Sequence, residues 1–157
     1  RHYQQGPPRD WPESYVSAYA AAHPWEDWAE TFAHYLHMVD TLETAGSFGL
    51  AMHRPMRNGQ ALESRIDYDP HAVEDLGRLV TDWLPLTFAV NSLNRSMGQP
   101  DLYPFVLAPP VVAKLAYVHA RIGQATGRGA RDPGGLAAVA ASLSAPPVPS
   151  PTADEPA

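Results

Sequence analysis

Two carboxylates and two imidazoles share one helical stretch of this sequence. Glu26, Glu30, His34 and His37 all fall in residues 24–45, where Pro stands only at the first position and Gly is absent, which predicts one long helix. At about 100° per residue, Glu26, Glu30 and His37 lie in one stripe, with His34 at its edge. Carboxylate oxygens and imidazole nitrogens are ligands that zinc takes in proteins. The stripe therefore indicates either a metal-facing surface or the solvated polar face of an amphipathic helix.

A self-contained metal site on this helix is a further interpretation. Glu30 and His34 stand at i, i+4, and His34 and His37 at i, i+3, so each pair can meet on the helix surface. Neighbours on one helix rarely complete a coordination shell without another element, which counts against this interpretation. The specific zinc signature His-Glu-x-x-His is absent, because none of the seven histidines is followed by Glu.

Composition excludes several classes of function. The chain has 157 residues, of which 45% are apolar, and this is enough for one domain with a sizeable core. A net charge of -6 argues against nucleic acid as the main partner. The absence of Cys excludes thiolate metal sites and thiol catalysis. No apolar run approaches the roughly 20 residues of a membrane span, so we predict no membrane partner and a cytoplasmic protein.

The other helices are predicted from caps, breakers and apolar periodicity. The pattern gives a short helix over 11–22, a helix begun by Asp69-Pro70 that Pro85 kinks or ends, a helix over 86–97 closed by Gly98, and a last helix from Pro109 to about Gln124. Residues 62–68 alternate like a strand. Since a single strand has no pairing partner, we predict an extended loop there.

The predicted fold class is therefore all-α, a single helical domain built around the long helix at about 24–45. The domain is expected to cover residues 1–126. From residue 127 onward Gly, Ala, Pro and Ser dominate, a composition that buries too little apolar surface to offset its ordering entropy. Residues 127–157 are therefore predicted to be a disordered tail.

Several segments together resemble a known family. The run 23–37 contains the pattern Glu-x-x-Ala-Glu at residues 26–30, and it is preceded by residues 15–19 and followed by residues 40–45. These segments, with residues 83–98 and 101–107, resemble the bacterial family called putative zinc-binding metallopeptidases, which is gluzincin-like. The likeness covers about residues 1–124.

The resemblance implies roles for three residues. By analogy with gluzincin-type peptidases, including the lethal-factor-like group, Glu26 would be the third protein ligand to zinc. Glu30, one turn later, would not bind zinc itself but would accept a hydrogen bond from a ligand histidine and orient it. Tyr19, seven residues before Glu26, would stabilise the oxyanion of the tetrahedral intermediate.

The resemblance also implies what this chain lacks. Members of the family typically carry a zinc-ribbon-like Cys module and then a His-Glu-x-x-His helix ahead of this region. The chain is thus expected to be the C-terminal portion of a zinc-dependent metallopeptidase acting on a peptide or protein substrate, and to be inactive alone. The alternative is a non-enzymatic helical binding domain with no bound metal. Translating the DNA upstream of Arg1 discriminates the two, because an in-frame His-Glu-x-x-His supports the enzyme.

Overall fold

The long helix predicted from the sequence is the central element of the structure. A computed structural model describes residues 6–55, 61–102 and 107–127. Helix α1 runs from Pro24 to Ser47, with the His23 side chain accepting a hydrogen bond from the backbone N–H of Trp25. The N–H groups of Gly49 and Leu50 donate to the carbonyls of Gly46 and Ala45, and Gly49 has φ +64°. These contacts form a Schellman-type end, for which glycine suits the left-handed position.

Helix α1 continues through Gly46, two residues beyond its predicted end at about residue 45. A Cβ atom at this position would lie 3.0 Å from Cγ2 of Ile66. The absent side chain therefore lets the helix approach the chain that follows the sheet.

The prediction of an all-α fold is wrong, because the chain also forms a small sheet. Strand β1, Ala51–Pro55, pairs with strand β2, Ala61–Arg65, in an antiparallel hairpin. His53 stands opposite Glu63, with 2.7 Å between Nδ1 and Oε1. The alternating segment was predicted as a loop because no partner strand was recognised, and the partner is the segment just before it. Over the residues that the structure describes, the fold is mostly helical with one two-stranded sheet.

The second long helix starts later than predicted, and it joins two segments that were predicted around Pro85. Asp69 and Pro70 open only a 3₁₀ turn, Pro70–Ala72, whereas helix α2 runs from Leu76 to Ser96. Its cap is Asp75, whose Oδ1 accepts from the N–H of Gly77 at 2.8 Å. Pro85 lies inside this one helix rather than between two.

The prediction of a first helix is wrong, whereas the prediction of the last helix is confirmed. Two 3₁₀ turns, Trp11–Glu13 and Ala20–Ala22, stand where a helix over 11–22 was expected. Helix α3 covers Pro109–Ala125, within one residue of its predicted end. The 3₁₀ turn Ala20–Ala22 packs against α1, and it carries the chain into the candidate site.

The core lies between the three helices. Its largest fully buried side chains come from all of them, and they include Met38, Leu42, Leu79, Trp83 and Leu115. Tyr35 of α1 also contacts His119 of α3, with 2.9 Å between the hydroxyl oxygen and Nδ1. His119 Nε2 lies 3.0 Å from the carbonyl oxygen of Glu74. This carbonyl can only accept, so in the neutral imidazole Nε2 carries the proton and Nδ1 accepts from the Tyr35 hydroxyl.

The predictions about a membrane span, the tail and the cellular location are tested only in part. Within the described ranges, none of the helices combines the length and apolar character needed to cross a bilayer. The predicted tail at 127–157 lies, apart from Gly127, outside the described residues. The domain boundary at 126 and the cytoplasmic location therefore stay predictions.

The cap of α2 makes a testable contribution to stability. Asp75→Ala removes the acceptor for the N–H of Gly77, and we expect it to lower the free energy of unfolding by about 1 kcal/mol. Asp75→Asn keeps an acceptor oxygen at the same place and should lower it by less than half as much. Urea unfolding followed by circular dichroism measures both. Equal losses for the two variants would contradict a capping role.

Candidate functional site

The two candidate carboxylates lie on one flank of α1, in its first two turns. Glu26 and Glu30 are one turn apart and both are half-buried. Pro24 occupies the first position of the helix, and Glu26 lies in the first turn, where the positive end of the helix dipole favours a carboxylate. Within the described part of the chain, no hydrogen bond or ion pair engages the Glu26 carboxylate. The flank thus carries one carboxylate that the described residues leave unengaged.

Glu30 is held from one side by a serine that precedes the helix. Ser17 Oγ donates to Glu30 Oε2 at 2.8 Å, and the backbone N–H of Ala20 donates to the same Ser17 oxygen at 3.0 Å. One carboxylate oxygen of Glu30 is therefore engaged. Oε1 makes no hydrogen bond to the described residues, so it can accept an N–H from a further group.

Tyr19 lies in the segment that Ser17 attaches to α1. It directly precedes the 3₁₀ turn Ala20–Ala22, and its side chain is 50% exposed, whereas Ala20 is fully buried. The structure therefore brings the Tyr19 turn and the Glu30 turn together through Ser17. The sequence analysis did not identify Ser17, because a serine 13 residues from its partner leaves no local pattern.

Asp27, the neighbour of Glu26, has a different role. Lys114 Nζ of α3 donates to both Asp27 oxygens, at 2.8 and 2.7 Å, and to the backbone oxygen of Ser14 at 2.8 Å. The same ammonium lies 4.3 Å from the ring centroid of Tyr15. Lys114 thus attaches the segment before Tyr19 to both α1 and α3. Asp27 is occupied by this ion pair, and Glu26 is not.

An open groove runs beside this ion pair, between the start of α1 and the middle of α3. Its volume is about 390 Å³, and it is lined by Pro24, Asp27, Trp28, Thr31, Ala113, Lys114, Tyr117 and Val118. The rings of Trp28 and Tyr117 meet there edge to face, with centroids 6.1 Å apart. Glu26 is not among the lining residues, so the groove and the carboxylate flank are separate surfaces.

The two histidines of α1 lie in different environments. His34 is 3% exposed and packs edge to face against Trp83, with ring centroids 6.0 Å apart. His37 is exposed. In the described ranges, the metal-capable side chains that cluster in threes do not include Glu30, His34 and His37. The self-contained metal site on α1 is therefore not supported, because the fold turns His34 into the core.

Burial makes His34 sensitive to pH. Desolvation, with a smaller contribution from the charge of His37, lowers the pKa of His34 from 6.5 to about 4. The unfolded chain therefore binds a proton near pH 6.5, whereas the folded chain does so only near pH 4. The neutral imidazole contributes stability that is fully present above pH 6.5 and is lost as the pH falls to 4. The loss is at most about 3 kcal/mol.

A comparison of two variants tests this expectation. His34→Leu should flatten the dependence of unfolding free energy on pH between 4 and 6.5, since leucine does not titrate. His37→Gln removes an exposed imidazole and should leave most of the slope. Urea unfolding at several pH values measures both slopes. An unchanged slope in His34→Leu would contradict the assignment.

A second group of metal-capable side chains lies further along α1. Asp40, Glu43 and His71 each place a ligand atom within 4.8 Å of the others, and all three side chains are exposed. His71 Nε2 lies 3.2 Å from Glu43 Oε2. Asp40 follows Glu26 by about 21 Å along the helix axis, so this group is distinct from the Glu26 flank. The sequence analysis missed it because His71 is brought to α1 only by the 3₁₀ turn Pro70–Ala72.

Comparison with known proteins shows which family the chain resembles in sequence. The family model described as "Putative zinc-binding metallo-peptidase" matches residues 1–121. The chain belongs to this family. The resemblance noted in the sequence is thereby confirmed, and the two candidate carboxylates and Tyr19 all lie within the matched region.

The relatives of this family member are bacterial and longer. Uncharacterised proteins of Mycobacterium bovis and of two strains of Mycobacterium tuberculosis are 47% identical to the chain over 119 residues. The match covers 76% of this chain and 32% of each relative. The chain thus spans about a third of the length of these relatives. No solved structure matches it.

The residues present fit part of a zinc site. Glu26 offers a half-buried carboxylate with no partner in the described residues, and Glu30 offers a fixed carboxylate one turn away. An oxygen ligand with a neighbouring acceptor for a ligand imidazole is a donor set that zinc accepts. The chain itself has no His-Glu-x-x-His, so the fit concerns the carboxylate side of the site.

Proposed function

We propose that this chain forms the C-terminal part of the active site of a zinc-dependent metallopeptidase, with Glu26 as a protein ligand to zinc. The observation that carries the proposal is the contrast between two adjacent carboxylates. Asp27 is engaged by Lys114 through both oxygens, whereas Glu26 is half-buried and has no hydrogen bond or ion pair within the described part of the chain. A carboxylate kept in this state at a helix start, in a member of this family, is suited to a metal.

Glu30 would orient a histidine ligand. Ser17 holds Oε2 of Glu30, which restricts rotation of the carboxylate and leaves Oε1 to accept an imidazole N–H. Such an acceptor sets the tautomer and the ring orientation of a metal-bound histidine. The histidine itself, and a glutamate acting as general base, would come from a His-Glu-x-x-His segment that this chain does not contain.

Tyr19 would act on the reacting group. A phenol hydroxyl is neutral near pH 7 and donates one hydrogen bond. Directed at the carbonyl oxygen of the scissile bond, it would stabilise the negative charge that develops there. Zinc, when bound, polarises this carbonyl and lowers the pKa of a bound water. The substrate class that this chemistry fits is a peptide or protein.

Zinc content tests the proposal. The comparison is between this chain and the same chain with any in-frame sequence encoded upstream of Arg1, here called the extended protein. We expect about one zinc per extended protein and much less in the chain alone, because one carboxylate does not hold zinc without the imidazoles. His71→Ala in both forms removes the exposed group around Asp40 and Glu43 as a source of bound metal.

The opposite result identifies the alternative function. An extended protein that binds no zinc, or an upstream sequence without His-Glu-x-x-His, would contradict the proposal. The chain would then be a non-enzymatic helical binding domain, and the Glu26 flank would be an ordinary polar surface. Hydrolysis of a peptide mixture by the zinc-loaded extended protein would establish the substrate class.

A further inference from the structure

We propose that Ser17 is a positioning residue, which sets the place of Tyr19 relative to the Glu26–Glu30 flank of α1. The inference rests on the proposed function, since it concerns the same site. It adds a residue that neither the family assignment nor the sequence pattern names. Its basis is that the Ser17 hydroxyl connects helix α1, which carries Glu30, to the turn that carries Tyr19.

The Ser17 hydroxyl makes two hydrogen bonds, one as donor and one as acceptor. It donates to Glu30 Oε2 at 2.8 Å, and it accepts from the backbone N–H of Ala20 at 3.0 Å. Ala20 is fully buried, and a buried N–H without a partner costs free energy comparable to a lost hydrogen bond. The bond from Ala20 therefore holds the backbone in this conformation.

Tyr19 lies between the two points that this bond joins. Ser17 precedes it by two residues, and Ala20 directly follows it. A further attachment lies earlier in the chain, at Ser14, whose backbone oxygen accepts a hydrogen bond from Lys114. The backbone around Tyr19 is thus tied to α1 and α3, while Tyr19 itself is 50% exposed.

This arrangement connects the proposed oxyanion donor, Tyr19, with the proposed zinc-binding flank of α1. The carboxylate that Ser17 contacts belongs to Glu30, one turn after Glu26 on the same flank. A shift of the Tyr19 turn along α1 would therefore break the Ser17–Glu30 bond. Displacing a catalytic group by about 1 Å can reduce a rate by two orders of magnitude, so a single hydrogen bond that prevents such a shift is of consequence for catalysis.

Three single variants and one double variant of the extended protein test the proposal. Ser17→Ala removes the hydroxyl, and Ser17→Thr keeps it. Tyr19→Phe removes the group that Ser17 is proposed to position, and the double variant Ser17→Ala, Tyr19→Phe measures whether the two act together. The readouts are kcat, KM, and the hydrogen-exchange rate of the Ala20 amide, which needs neither zinc nor activity.

We expect Ser17→Ala to lower kcat about ten-fold, the effect of one lost hydrogen bond, with KM changed by less than about two-fold. The Ala20 amide should exchange at least about ten-fold faster. Ser17→Thr keeps the hydroxyl, so its kcat and its Ala20 exchange rate should match those of the unaltered protein. In the Tyr19→Phe background, Ser17→Ala should change kcat by less than about two-fold, because the group it positions is already absent.

The outcomes separate this inference from the proposed function. Equal kcat losses from Ser17→Ala with and without the Tyr19 hydroxyl would overturn the positioning role and leave a structural one. An unchanged Ala20 exchange rate would also overturn it. An unaltered extended protein with neither zinc nor activity would instead overturn the proposed function, and with it the catalytic part of this inference.

Discussion

Glu26→Gln is expected to lower the zinc affinity of the extended protein by about 100-fold and to abolish most of its hydrolytic activity. A binding free energy on the order of 10 kcal/mol, shared by three or four ligands, assigns about 3 kcal/mol to one ligand. Glutamine has nearly the same shape as glutamate, so the fold should be kept while the anionic oxygen is lost. Competition with a chromophoric chelator measures the affinity.

The adjacent Asp27 provides the matched control for this prediction. Asp27→Asn makes the same chemical change one residue away, at a carboxylate that is engaged by Lys114. It should weaken stability, since the partly buried ammonium loses an anionic partner, and leave zinc affinity within about two-fold of the unaltered protein. Equal loss of zinc in both variants would show that the negative charge of the helix start matters, and not Glu26 as a ligand. Full zinc binding in Glu26→Gln would also contradict the assignment.

Trp83→Ala is expected to lower the free energy of unfolding by about 3–5 kcal/mol. The Trp83 side chain is 2% exposed, and it is the largest of the fully buried side chains. Its removal leaves a cavity between α1 and α2, where it contacts the ring of His34. A loss of this size is a large part of the total stability of a small domain.

The same substitution at an exposed tryptophan controls for composition. Trp25 is 75% exposed, and we expect Trp25→Ala to change the unfolding free energy by less than about 0.5 kcal/mol. Urea unfolding followed by far-ultraviolet circular dichroism suits both variants, because the fluorescence signal changes with either. A similar loss in the two variants would mean that the Trp83 environment is not the core described here.

The predicted elements that proved correct have local signals. The start of α1 follows from Pro24 with acidic residues behind it, and the start of α3 follows from Pro109-Pro110. Gly98 closes α2 with φ +71°, as its position predicts. Caps and apolar periodicity act within a few residues of one another, so the sequence carries them without reference to the rest of the fold.

The incorrect predictions depend on what packs against each segment. The hairpin was missed because β2 requires β1, whose own residues show little strand pattern. Helix α1 passes through Gly46 because Gly49 takes the left-handed position that ends it. His34 was placed at the edge of the polar stripe, yet the core of the three helices takes it in.

The sequence by itself determined the family pattern, and with it the candidate residues Tyr19, Glu26 and Glu30. Their roles as oxyanion donor, zinc ligand and orienting acceptor stay proposals. Only the tertiary structure distinguished Glu26 from Asp27, because that difference depends on Lys114, 87 residues away in the chain. It also joined Ser17 to Glu30. Helix starts and ends depend on neighbouring residues, whereas the partners of a carboxylate depend on distant side chains that the fold brings to it.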